Sequence, residues 1–285
     1  MNKNLNQHLT YRLFNKSKKF SLKWTSYFQV YENIFSEYRN KKITFVEIGV
    51  ANGGSLFIWK KFFGKNAKII GIDANPNAKK MEKYGFKIYI GSQSDEKFWE
   101  NFFKKEGKID IILDDGGHKN LHQISTVHYC LPHIKNGGKI VIEDTITSYL
   151  KKEFYNPSKY SFINFCNLII ENIHRRSVLL KKKLNIYAKK IYSINFFESI
   201  VVFSIDSRKC FKSTEVYNKA KNEWAVDYRH DDHFKKARNI ISDKYNFLNN
   251  ISIIRKIIRK ILYRSSLINF YENQKIKKIF KYIKD

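Results

Sequence analysis

Cysteine is scarce in this chain: three in 285 residues, Cys130, Cys166 and Cys210, with no two spaced as C-x-x-C. That argues against a disulfide framework or a zinc finger and suits a reducing, cytoplasmic setting. Proline is rarer than expected, with three residues, and no low-complexity linker or internal repeat interrupts the sequence. No stretch approaches the roughly 18 consecutive apolar residues of a membrane span. The opening MNKNLNQHLTYRLFNKSKKF has no apolar h-region, so no secretory signal is expected. Acidic residues are few, 26 against 54 Lys and Arg, leaving a net charge of +28.

What is present is a globular composition, 43% hydrophobic and 16% aromatic, enough for one α/β domain with an appendage. The excess charge points toward nucleic acid. Yet Lys, Ile, Asn, Phe and Tyr are abundant together, and all have A/T-rich codons. The charge is also spread along the chain, whereas a nucleic-acid binder shows a basic stripe. A compositional origin is favoured and no nucleic-acid partner is expected.

Residues 1–40 read as a helical, aromatic cover segment, with Trp24, Tyr27, Phe28, Tyr31 and Phe35 at mostly helical spacings. From 41 to 210, strand and helix alternate: ITFVEIG, SLFIWKKFF, KIIGID, FKIYIG, DEKFWENFFKK, IDIILDD, a helix from about 119 to 134, a KNGG turn and KIVIED. This pattern predicts an α/β, Rossmann-like, doubly wound sheet. Residues 158–192 read as one or two helices. YSINFF and SIVVFSID, separated only by Glu198, predict a terminal antiparallel hairpin. Residues 211–285 read as a basic helical extension.

Two acidic groups lie just past apolar strands: Leu-Asp-Asp-Gly-Gly-His at 113–118, and Glu143-Asp144 after KIVI. Strands of a parallel sheet end at one edge, where ligands bind. Asp115, His118, Glu143 and Asp144 should therefore meet in space, three carboxylates and an imidazole suited to a divalent cation and a general base. Acidic residues also cap helices that follow strands, but two such groups below a Gly-rich turn favour the site. That turn, FVEIGVANGGS, follows the first strand, and Asp73 ends the second. Its spacing is not the G-x-G-x-x-G of dinucleotide enzymes. A carboxylate at Asp73 can accept from both hydroxyls of a ribose.

With WTSYFQVYENIF, FVEIGVANGGS, GIDANP, IGSQSD, ILDDGGH, IEDTITSY and INFFESIVVF, the chain resembles the class I S-adenosylmethionine (SAM)-dependent methyltransferases over roughly residues 20–207. Within them it is similar to the metal-dependent sugar O-methyltransferases that act on macrolide glycosides, and to cephalosporin hydroxylase-like proteins. The resemblance implies SAM and Mg²⁺ as cofactors. It implies that Glu47, Gly49, Gly53, Ser55, Asp73, Gln93 and Asp114 bind SAM, with Glu47, Gly49 and Gly53 at its methionine end, Asp73 at the ribose and Gln93 near the adenine. Ser92 stands before Gln93 where many relatives have Asp. It further implies Asp115, Glu143 and Asp144 as Mg²⁺ ligands, His118 as catalytic base, and Tyr149, Tyr27 and Tyr31 as cover for the acceptor.

The expected reaction is methyl transfer to a carbohydrate hydroxyl, on a surface or capsular polysaccharide precursor, a sugar nucleotide or a glycosylated metabolite. A chelating cation would acidify one of two adjacent hydroxyls and an imidazole would take its proton. An RNA methyltransferase would explain the charge but not the acidic cluster, and no NPPY-like motif is present. A non-catalytic scaffold in glycan assembly has no need of such a cluster. Other features favour plain roles: helix-start residues for His230-Asp231-Asp232-His233, packing or solvent contact for His122, and core for Cys130. The basic amphipathic stretch ISIIRKIIRKILYR (251–264) suits an anionic inner-membrane surface, or packing on the enzyme or a second subunit; packing is favoured.

Overall fold

The computed structural model describes residues 5–150, 159–220, 276, 277, 279–281 and 283. The chain divides into two compact units, Met1–Glu215 and Val216–Asp285.

In the first unit, seven strands form one sheet: β1 (Thr44–Ile48), β2 (Lys68–Asp73), β3 (Lys87–Ile90), β4 (Ile109–Asp114), β5 (Ile134–Ile142), β6 (Ile191–Phe197) and β7 (Ile200–Ile205). Their order is β3-β2-β1-β4-β5-β7-β6. The first five run parallel, and β7 is antiparallel to both β5 and β6. The expected doubly wound sheet with its terminal hairpin is what forms. The parallel strands are predominantly apolar because both faces are covered. Phe45, Ile69, Ile111, Leu113, Val141 and Val202 face one core. It is covered by α1 (Leu9–Asn15), α2 (Tyr27–Phe35) and α3 (Gly54–Phe63). Val46, Ile70, Ile112, Ile140 and Phe203 face the other core, under α4 (Glu96–Glu106), α5 (Asn120–Cys130), α6 (Phe162–His174) and the short α7 (Ile186–Lys190).

Three local expectations are corrected. The cover segment is not continuously helical: α1 and α2 are separated by an irregular strap, residues 17–26. Its apolar residues Phe20, Leu22 and Trp24 recur at a spacing of two, which gives no helical face to propagate. The KNGG turn lies inside β5, where a register shift opposite Ile109 and Ile111 absorbs it. Residues 211–220 are not helical.

In the second unit the described residues 276, 277, 279–281 and 283 are helical. The His230–His233 cluster and the 251–264 stretch lie outside the described residues. Among those described, no helix is long and apolar enough to cross a membrane.

Candidate active site

The C-terminal ends of the parallel strands open onto a cavity of about 600 Å³. Gly49, Ser55, Asp73 and Gln93 line one part; Asp115, His118, Glu143 and Asp144 line another, and strap residues Phe20–Trp24 close over it. Gly49 shows why this edge is tight. Its φ is +91°, and a Cβ there would lie 2.0 Å from the Asp115 carbonyl oxygen, so only glycine lets β1 and β4 end side by side.

Asp73 ties the two turns together. Its Oδ2 accepts from the amides of Val50 and Ala51 at 2.8 and 2.9 Å, and its Oδ1 from the amide of Asn75 at 2.8 Å. A carboxylate has about four acceptor positions, so the pair of free positions expected for a ribose is reduced by these amides. Gln93 is similarly committed. Its Nε2 donates to Asp114 Oδ2 at 2.7 Å and to Thr126 Oγ1 at 3.1 Å, and its Oε1 accepts from the Gly117 amide at 2.9 Å. Asp114 is buried behind it and does not line the cavity; burial raises its pKa against the hydrogen bonds of Thr126 and Gln93.

Glu47 also lies behind the wall. Ser55 Oγ donates to its Oε2 at 2.7 Å and Trp59 Nε1 to its Oε1 at 2.9 Å. Burial pushes this carboxyl up to about 7, against the pull of Lys23. Ser55, not Glu47, meets the cavity. Gly53 caps α3 and its neighbour Gly54 lines the space.

At the acidic end, Asp115, His118 and Asp144 each present a ligand atom, all within 4.8 Å of one another. The two aspartate oxygens are hard donors that suit a divalent cation, and the imidazole nitrogen stands beside them. His118 Nε2 lies 3.5 Å from Asp144 Oδ2. Asp144 Oδ1 accepts from Tyr27 OH at 2.7 Å and Trp24 Nε1 at 3.1 Å.

Glu143 is expected beside them, but its two oxygens are engaged elsewhere. Tyr31 OH donates to Oε1 at 2.5 Å, and the Lys23 ammonium lies 2.8 Å from Oε2. The same ammonium lies 2.5 Å from Asp115 Oδ2. Burial would strip the Lys23 proton, but Asp115, Glu143 and Glu47 more than offset it and hold the pKa above its ordinary range. Burial pushes the Glu143 carboxyl up, with Lys23 pulling it down and Asp115 repelling its charge.

The tyrosines divide. Tyr27 lines the cavity, whereas Tyr31 is buried and reaches it only through Glu143. Tyr149 is 57% exposed and is not part of the lining.

A family model described as a methyltransferase domain matches residues 46–145, the span from β1 to just past β5 that carries both acidic groups. Over that span the chain is similar to methyltransferase domains. The sheet with its reversed last strands is the class I methyltransferase fold. Mycinamicin VI 2''-O-methyltransferase of Micromonospora griseorubida is 34% identical over 126 residues, 42% of this chain and 31% of the relative. An 8-demethyl-8-alpha-L-rhamnosyl tetracenomycin-C 2'-O-methyltransferase of Streptomyces olivaceus is 29% identical over 158 residues, 52% of this chain and 41% of the relative. The methyltransferase MycE, solved in complex with Mg, SAH and Mycinamycin VI, superposes with a TM-score of 0.61 at 25% identity, covering 71% of this chain and 53% of MycE. The chain thus spans less than half the length of these curated relatives.

In the first unit, nothing in the sequence marked Lys23, and His122, read there as a packing or solvent-facing residue, lies on the cavity wall. Lys23 is one of 54 Lys and Arg and carries no motif. His122 lies in the first turn of α5, four residues after His118, which precedes the helix.

Proposed function

We propose that this chain is a SAM- and Mg²⁺-dependent O-methyltransferase acting on a carbohydrate hydroxyl. The observation that carries the reading is the convergence of Asp115, His118 and Asp144 beside a glycine-edged cavity at the strand ends. The cavity, of about 600 Å³, is in the range of small-molecule sites. Gly49, Gly53, Ser55, Asp73 and Gln93 would hold SAM, with Glu47 and Asp114 bracing Ser55 and Gln93 from behind. Asp115 and Asp144, joined by Glu143, would hold Mg²⁺. When bound, the cation would acidify and orient neighbouring acceptor hydroxyls.

The chain's own groups do the rest. The His118 imidazole takes the acceptor proton, and the adjacent Asp144 carboxylate stabilises the imidazolium that results. Tyr27 and Trp24 fix that carboxylate. The relatives named above methylate sugars attached to natural products, which supports a glycosylated metabolite or a polysaccharide precursor, including a sugar nucleotide, as acceptor. Such a precursor would be met in the cytoplasm. Transfer of a labelled methyl group from SAM to a sugar hydroxyl, dependent on Mg²⁺ and on His118, tests the reading.

A further inference from the structure

The Lys23 side chain is 4% exposed and bridges Asp115 Oδ2 and Glu143 Oε2, two of the three carboxylates proposed to hold the cation. The other Glu143 oxygen, Oε1, accepts from Tyr31 OH. A divalent ion brought onto these oxygens is repelled by the ammonium already there, most strongly where solvent is excluded. The acidic end can therefore exist in two forms. In one, Lys23 neutralises Asp115 and Glu143. In the other, a divalent ion does, and the ammonium is elsewhere.

We propose that Lys23 is an internal counter-ion that a divalent cation must displace before Glu143 can become a ligand. The inference rests on the metal-dependent reading above and adds a residue to it. The order of events follows from exposure. Asp115, His118 and Asp144 are half-buried on the cavity side and already within ligand range of one another. A cation meets the Asp115 and Asp144 carboxylates first. Glu143 is fully enclosed and joins only once the ammonium has left.

Lys23 belongs to the strap, whose backbone lies directly on α3: a Cβ on Gly54 would fall 2.2 Å from the Phe20 carbonyl oxygen. Trp24, the next residue, donates to Asp144. Cation entry thus acts on two consecutive strap residues. Without the cation, the same lysine keeps three clustered carboxylates, Glu47 included, from repelling one another.

Two measurements on the full chain test this, with Mn²⁺ as a spectroscopically visible probe. The first is Mn²⁺ affinity of the wild type and of Lys23→Gln by electron paramagnetic resonance of the free ion. Lys23→Gln is expected to bind at least about tenfold tighter, the equivalent of one charge-assisted hydrogen bond no longer competing. The second needs no variant. Lys23 is expected to resist an amine-acetylating reagent in the metal-free protein and to become labelled, by peptide mass spectrometry, at saturating Mn²⁺.

Equal or weaker binding by Lys23→Gln, or a Lys23 that stays protected in the wild type at saturating Mn²⁺, overturns the inference and leaves the metal reading standing. No Mn²⁺ binding by either protein overturns the metal reading and the inference with it.

Discussion

His118 and Asp144 face each other across the strand ends with Nε2 and Oδ2 3.5 Å apart, and both have a φ of 52°. Left-handed backbone is rare for residues other than glycine and gathers where surrounding structure enforces a functional geometry. Here it turns the imidazole and the carboxylate toward the same cavity. His118→Ala is expected to lower turnover by about 10²–10⁴-fold, the usual contribution of a general base. Binding of SAM and of Mn²⁺ should stay near wild type. Loss of Mn²⁺ affinity alongside turnover would make the imidazole a ligand instead of a base.

Metal removal separates the acidic cluster's role from simple charge. EDTA should abolish methyl transfer and added Mg²⁺ should restore it, while calorimetry shows SAM binding largely retained. Asp144→Asn should weaken the Mg²⁺ requirement's midpoint, read as a higher Mg²⁺ concentration for half-maximal rate.

Gly49→Ala tests the close approach of β1 and β4. The added Cβ would overlap the Asp115 carbonyl at 2.0 Å, and the φ of +91° resists any side chain. A loss of about 1–3 kcal/mol is expected from the strained backbone alone, seen as a lower denaturation midpoint at unchanged slope. A variant as stable as wild type would contradict this packing.

Glu106, far from the cavity, gives a pH-dependent contribution. Burial alone would raise its pKa, but Lys68, Lys87 and Tyr89 lower it from 4.5 to about 2. Because the folded value lies below the unfolded one, the carboxylate stabilises the fold fully above about pH 4.5 and loses this effect as pH falls toward 2. Glu106→Gln should cost about 1–3 kcal/mol at pH 7. The gap from wild type should shrink between pH 4.5 and 2, as urea melts at several pH values would show.

Much of this was legible in the sequence. The parallel strands of a sheet covered on both faces are predominantly apolar runs, so their ends, and the acidic residues just past them, could be located from pattern alone. The sheet edge then brought Asp115 and Asp144 together as expected. What sequence could not supply were pairings across long separations. Lys23 meets Asp115 at a separation of 92 residues and Glu143 at 120, and nothing local marks it among so many lysines. For the same reason Glu47 read as a wall of the cavity. Only the packing of Ser55 and Trp59 shows it is one layer behind.

Methyl transfer to a sugar oxygen is open to one direct experiment. The protein, Mg²⁺ and SAM carrying a deuterated methyl group are incubated with sugar nucleotides, glycosylated metabolites and demethylated surface polysaccharide, and the products are read by mass spectrometry. Label is expected on a sugar hydroxyl, absent with His118→Ala and absent after EDTA. Normal SAM binding with no label on any carbohydrate, or label on RNA, would contradict it.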